Sequence, residues 1–469
     1  MSQTKKPISS LENTIVFNRF ILVLAASVAF FGGFLFGYDT AVINGANQLL
    51  KVHFNLDPVA EGMVGASAII GCIPGAVCAG YLSDRFGRRK ILFVCALLYA
   101  LSAIFSAIPQ TFGGFIAARF ISGLGIGASS MICPVYIAEM APAAWRGRLG
   151  SLFQLGIVTG IFITLFINAM IQRFGNDAWG AAQGWRWMLG AEMVPSIIFL
   201  AVLFFVRESP RWLAQSGKEA QALAGLAEIG GEAYAEAEMS ALKKVLTTEQ
   251  GGFIELLMQG RFRRPLIIAV FLMAFSQFSG INAIMYYSTE IFGKAGVGAG
   301  GAFQASAIIG LVNLVFTFVA ILFVDNVGRR PLLLIGLGTQ VIALAAVGWM
   351  FHAGINGVGL LAAILIFIGA FAMALGPIPW ILCSEIFPAR IRGRAMSLAT
   401  FVIWSACYLV AQTFPILNNS PMIGPAKTFG LFSVASAMAF VFVWFIVKET
   451  KGRSLEEIET DLGSFGKTF

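Results

Sequence analysis

From residue 19 to residue 447 the chain alternates apolar stretches of about 18 residues or more with short polar connectors. At roughly 1.5 Å per residue, each stretch is long enough as a helix to cross a hydrocarbon layer of about 30 Å. Twelve spans are predicted, at 19–50, 62–83, 91–109, 111–138, 149–172, 185–206, 265–291, 302–324, 331–352, 358–387, 395–417 and 427–447. The first opens on Arg19 and is interrupted by Asp39, which makes it too long and too polar for a cleavable leader, so it is expected to stay in the mature chain.

Composition agrees with that pattern: of 469 residues, 58% are hydrophobic and 12% charged, a balance that leaves no polar surface for a water-soluble fold. The six cysteines, Cys72, Cys78, Cys95, Cys133, Cys383 and Cys407, all fall inside apolar spans. Their spacing matches neither a disulfide framework nor a metal site, so they are expected to be small buried hydrophobes.

The net charge of +8 does not point to nucleic acid, because the basic residues follow the spans. With both termini placed in the cytoplasm, 26 of the 32 Lys and Arg residues lie inside. Lys51, Arg173, Arg186, Lys294 and Lys427 lie outside, and Arg119 alone is in mid-span. That asymmetry is the positive-inside signature of a multi-pass inner-membrane protein surrounded by lipid.

The spans divide into two halves. A cytoplasmic tail (1–18) precedes a six-helix half (19–206). A polar linker domain (207–264) follows, helix-forming over 217–229 and 232–246, and then a second six-helix half (265–447) and a cytoplasmic tail (448–469). Asp84-Arg85-Phe86-Gly87-Arg88-Arg89 returns as Asp325-Asn326-Val327-Gly328-Arg329-Arg330, and Glu139-Met140-Ala141-Pro142 with Arg146 returns as Glu385-Ile386-Phe387-Pro388 with Arg392. These echoes predict an all-α, pseudo-symmetric carrier whose halves rock about a site near the midplane. Helix breaks are expected at 278–282 and 376–379, where freed backbone groups are tolerated only against protein or a cavity.

Asp39 and Arg119 are the ionisable residues placed deepest, and each alone would cost roughly 2.5 to 3.5 kcal/mol at a helix centre. Counting along spans 1 and 4 puts both about 14 to 18 Å below the outer end, so they are expected to pair. A conformational change that separates them would alter proton affinity; the competing reading is a static salt bridge between two helices. On the cytoplasmic side, Asp84, Arg88, Glu139, Arg146, Glu208, Arg211, Arg330, Glu385 and Arg392 are candidates for charge networks that tie the halves together, against the reading that each is a solvated, topology-setting charge. Within the spans, Gln154, Gln277, Asn282, Tyr286, Asn313, Trp380 and Trp404 offer amides for hydroxyl groups and aromatic faces for sugar rings. Singly, any of them serves equally well to bond a neighbouring helix.

Several strings are specific enough to name a family: Gly37-Tyr38-Asp39, the Asp84 to Arg89 motif, Glu208-Ser209-Pro210-Arg211-Trp212, Gly280-Ile281-Asn282, Gly376-Pro377-Ile378-Pro379-Trp380 and Glu449-Thr450-Lys451-Gly452-Arg453. Over nearly its whole length the chain resembles the sugar porters of the major facilitator superfamily, which include bacterial xylose and glucose proton symporters and the human facilitative glucose transporters. The resemblance implies a monomeric sugar:proton symporter in which Asp39 is the proton-coupling acid and Arg119 its partner. It also implies a sugar site lined by Phe36, Gln154, Ile161, Gln277, Asn282, Tyr286, Asn313, Trp380 and Trp404. Departures concern sugar choice: Ser276-Gln277 replaces the usual pair of glutamines, and Ile403 and Cys407 stand where relatives often carry amides.

Three other readings are weighed. A proton-independent uniporter of the same fold would use Asp39 only structurally. A non-transporting sugar receptor would be expected to carry longer tails than residues 448–469. A membrane enzyme finds no support, since the two histidines, His53 and His352, sit near predicted outer ends and no nucleophile, cofactor or metal motif stands out.

Overall fold

In the computed structural model of the chain, capping residues set the helix ends, not the last apolar position. The Asn18 side chain accepts the N–H groups of Phe20 and Ile21, and Asp57 accepts that of Ala60 at 2.7 Å with Pro58 in the first turn. Span 1 runs on to Phe54, where Asn55 in the left-handed conformation ends it, and span 2 begins at Pro58, so both extend several residues beyond the apolar cores. The structure describes residues 17–142, 145–248, 262–296, 298–387 and 389–451, without the side chains of 146–147, Asp177, 244–248, Ala299, Asp325, Ser384 and 389–394. Expectations for 1–16, 249–261 and 452–469, and for the side chains of Arg146 and Arg392, lie outside the described residues.

Among the described residues, twelve helices are long and apolar enough to cross a bilayer. The first half holds Arg19–Phe54, Pro58–Phe86, Arg88–Ala107, Phe112–Met140, Arg148–Phe174 and Gly180–Phe205; the second holds Arg263–Lys294, Gly300–Val324, Arg329–Ala353, Val358–Cys383, Ala395–Asn419 and Gly424–Ile446. Between them lie the linker helices Pro210–Gln215, Glu219–Gly230 and Glu232–Thr248. An even number of crossings brings the starts of span 1 and the end of span 12 to one face, called here the termini face.

Span 1 packs along span 5 and span 2 along span 4, and in each pair glycines allow backbones to meet. A Cβ on Gly33 or Gly37 would strike the carbonyls of Phe153 and Ile157, and one on Gly156 or Gly160 those of Phe30 and Phe34. Across the halves, span 2 lies on span 11, span 5 on span 8, and span 1 on the second piece of span 7.

Two spans are broken. Span 7 consists of Arg263–Phe278 and Ile281–Lys294, joined through Gly280 at φ +85, a conformation that excludes most side chains. Span 10 consists of Val358–Met373 and Ile378–Ile386, separated at Ala374 and Pro377. Five cysteines are buried as expected, but Cys78 is exposed, because its position on span 2 faces out of the bundle.

Candidate transport site

Asp39 lies midway along span 1 and Arg119 in the first half of span 4, so the two helices carry them to one level from opposite directions. They form an ion pair with Asp39 fully buried and Arg119 2% exposed, and Arg119 Nη2 also donates to the Asp39 carbonyl at 3.3 Å. Sequence reasoning missed a third charge: Glu192 on span 6 is 1% exposed and within electrostatic reach of both. The signal was available, as a lone carboxylate inside the stretch 185–206.

A second cluster lies where spans 1, 7 and 11 converge. The rings of Phe36 and Trp404 are 5.4 Å apart. Asn282, at the head of the second piece of span 7, donates to Gln277 and, at 3.0 Å, to the Cys407 thiol; Tyr286 reaches the same sulfur. Aromatic faces, amides and a phenol thus meet beside the span 7 break, the kind of surface that holds a neutral polyhydroxylated ring. Gln154 and Ile161 stand two turns apart on span 5, and Asn313 is 6% exposed on span 8, which packs against span 5. Trp380 is half-buried just past the span 10 break. No direct contact joins these four to the Asn282 cluster among the contacts described.

At the termini face each half carries a charge network of its own. Arg88 grips Glu139 through two nitrogens at 3.1 Å each and Asp84 at 2.8 Å, while Glu208 accepts the backbone N–H groups of Arg88 and Arg89. In the second half Arg329 Nη2 meets Glu385 at 2.8 Å, Thr450 donates to Glu385 at 2.6 Å, and Glu449 accepts the N–H groups of Arg329 and Arg330. The guanidinium of Arg330, named from sequence, instead donates to the Trp444 carbonyl at 2.7 Å. The physical reason is helical phase: Arg329 is the counterpart of Arg88, one residue after the glycine that starts the helix, and Arg330 is that of Arg89, whose guanidinium likewise reaches the carbonyls of Leu203 and Phe204. Arg211 sits in the linker helix Pro210–Gln215, beside the Glu208 cap. The charged contacts described at this face run within halves, not between them; Thr400 of span 11 reaches the Met131 sulfur of span 4 at 3.7 Å deeper in.

The halves are hydrogen-bonded to each other at the opposite face. Asn44 Nδ2 donates to the Met285 carbonyl at 2.7 Å and to Ser288 at 2.6 Å, Thr289 donates to the Asn44 carbonyl at 2.7 Å, and Gln412 donates to the Val59 carbonyl at 3.0 Å.

The sequence profile described as "Sugar (and other) transporter" matches residues 25–462. The chain belongs to that family. As a sugar transporter family member it is a membrane transporter and not an enzyme. It is 45% identical over 439 residues to the arabinose-proton symporter of Bacillus subtilis (strain 168), covering 93% of this chain and 94% of that protein. It is 38% identical over 462 residues to the D-xylose-proton symporter of Escherichia coli (strain K12), covering 92% and 94%. Among solved structures, the partially occluded inward open conformation of the xylose transporter XylE from E. coli matches with a TM-score of 0.83 at 36% identity, over 92% of this chain and 99% of that one. The fold of this transporter is accordingly the major facilitator fold.

Proposed function

We propose that the protein couples import of a monosaccharide, a pentose such as arabinose or xylose or a hexose such as glucose, to entry of a proton by alternating access. The observation that carries this reading is the Asp39–Arg119 pair, an intramembrane acid and its base buried between spans 1 and 4. An acid so placed is costly unless its charge is used, and the same guanidinium that favours the ionised form loses its hold when the helices shift. Protonation of Asp39 would release Arg119 and let the first half move.

The cluster of Phe36, Gln277, Asn282, Tyr286 and Trp404 holds the sugar in this reading, with Gln154, Ile161, Asn313 and Trp380 closing around it from spans 5, 8 and 10. The arabinose and xylose relatives place pentoses first in any panel. In this reading the termini face is cytoplasmic, which the distribution of Lys and Arg supports, so the hydrogen bonds of Asn44 and Gln412 close the outer side. The networks around Glu139 and Glu385, with Asp84, Arg88, Glu208, Arg211 and Arg329, form the inner gate, and in this reading Arg146 and Arg392 belong to it as well. They brace each half in the present arrangement and meet across the halves when the inner side closes. The protein works as a monomer in the lipid bilayer.

Uptake of labelled sugar into cells or vesicles, with and without a protonophore and with arabinose, xylose, glucose, galactose and inositol as competitors, tests the proposal. Symport requires that the protonophore abolish accumulation. Accumulation that reaches only equilibrium in both conditions identifies a uniporter.

A further inference from the structure

Two carboxyl groups that sequence reasoning passed over meet across the halves at the face opposite the termini. Glu61 is fully buried in the first turn of span 2, in the first half, and Glu290 is 6% exposed on the second piece of span 7, in the second half. Each has a lysine from its own half: Lys51 Nζ lies 2.6 Å from Glu61 Oε2, and Lys294 Nζ lies 3.3 Å from Glu290 Oε1. Each also has an amide, Asn47 donating to Glu61 at 3.1 Å and Asn418 to Glu290 at 3.4 Å. Tyr287 is the remaining titratable group facing both. The two carboxyl groups face each other across the halves, and the helices that carry them touch: a Cβ on Gly65, one turn on from Glu61, would stand 2.9 Å from the hydroxyl of Tyr287, about one turn before Glu290.

Here the donors run short. Glu290 Oε2 and Asn47 Oδ1 are both buried without a hydrogen-bond partner. Ionised carboxylates only accept, so neither Glu61 nor Glu290 can satisfy the other while both are charged, and their direct contact is repulsive. A single proton removes the repulsion and supplies a donor for the carboxyl contact, since one carboxyl then donates to the other. The lysines do not remove the need, because Lys51 and Lys294 each contact one oxygen of the carboxylate in their own half, and Glu290 Oε2 stays without a partner.

We propose that Glu61 and Glu290 form a second proton-binding site, distinct from Asp39, in which one proton shared between the halves latches the face opposite the termini shut. When that face opens, the carboxyl groups part, each keeps its own lysine, and the proton leaves to the compartment on that side. The latch rests on the alternating-access reading but not on Asp39 being the coupling acid.

The test is pulsed electron resonance between spin labels at Val59→Cys and Met422→Cys, in a background with the native cysteines replaced and carrying Asp39→Asn. Val59 and Met422 are 54% and 82% exposed and belong to different halves at this face. Removing the Asp39 titration leaves the latch and Glu192 as buried carboxyl sites, and the glutamine variants of the latch separate the two. One proton taken up on closing makes the ratio of short to long distances rise by up to about tenfold per pH unit on acidification. Glu61→Gln and Glu290→Gln, whose amides supply the missing donor, are expected to hold the short distance from pH 5 to pH 8. A distribution that ignores pH in the parent overturns the proposal and points to a bridging water. Retention of the full pH response in both glutamine variants overturns it as well. Loss of sugar coupling in Asp39→Asn bears on the transport reading alone and leaves this result standing.

Discussion

Glu449 does for the second half what Glu208 does for the first: its carboxylate closes on the exposed N–H groups of a helix start, at 3.0 Å to Arg329 and 3.0 Å to Arg330, as Glu208 closes on Arg88 and Arg89 at 2.9 and 3.1 Å. Each helix begins after a glycine in the left-handed half of backbone space, Gly87 at φ +100 and Gly328 at φ +102, where no side chain can cap it. A carboxylate brought from the end of the sixth or twelfth span satisfies the unpaired donors and the positive end of the helix dipole. The duplication visible in the motifs is thus a duplication of a capping device.

Glu449 gives that device a pH signature. Burial pushes its carboxyl up, but the N–H groups of Lys451, Arg329, Arg330 and Thr450 outweigh burial and hold it below the ordinary glutamate value. A lowered value in the folded state means that the cap contributes stability above about pH 4.3 and loses it as pH falls further. The difference in melting temperature between the parent and Glu449→Gln is therefore expected to stay constant from pH 8 to pH 5 and to shrink below that. A difference that shrinks between pH 8 and pH 6 would contradict the assignment.

Arg88 and Glu139 are 6% and 8% exposed in their side chains, so removing one partner strands the other. Arg88→Ala is expected to cost about 3 kcal/mol or more by thermal or denaturant unfolding in detergent. Arg329→Ala, whose pair is more exposed at 12% and 23%, costs less. Arg330→Ala is expected to leave the Glu385 network in place. If Arg330→Ala proved as damaging as Arg329→Ala, the phase assignment would be wrong.

The glycine contacts between spans 1 and 5 admit no side chain. Gly37→Val is expected to destabilise the protein by about 1 to 3 kcal/mol and to lower the amount inserted in the membrane, because Ile157 supplies backbone, not a movable side chain, at the point of contact. Gly80→Ala, with open space around it, serves as the control and is expected to change neither.

Asn282 links Gln277 to Cys407 in the cluster assigned to the sugar. Asn282→Ala is expected to raise the apparent KM for sugar about tenfold, the loss of roughly one well-made hydrogen bond, with little change in protein abundance. Cys407→Asn, which puts an amide in place of the thiol that Asn282 contacts, is expected to change the order of preference among competing sugars. An unaltered order would remove Cys407 from the site.

Sequence pattern was enough for the twelve spans, the two longer linker helices and both helix breaks, because apolar length, the glycine at 280 and the prolines at 377 and 379 act locally; the short helix Pro210–Gln215 escaped it. It was enough, too, for Asp39 meeting Arg119, since equal depth follows from counting along two straight helices. Counting failed where phase mattered more than depth, as with Arg330 in place of Arg329. It also failed for Glu61, which lies before the apolar core of its span because the Asp57 cap extends the helix backwards. Glu192 and Glu290 stand in the sequence as lone carboxylates in apolar stretches, but such a residue reveals its partner only once the helices are packed.

Sugar-driven proton movement in lightly buffered proteoliposomes tests the central claim most directly. Adding sugar outside vesicles that hold the parent protein is expected to alkalinise the medium, while Asp39→Asn, still able to exchange labelled sugar, produces no pH change. Alkalinisation by Asp39→Asn equal to that of the parent would contradict the account.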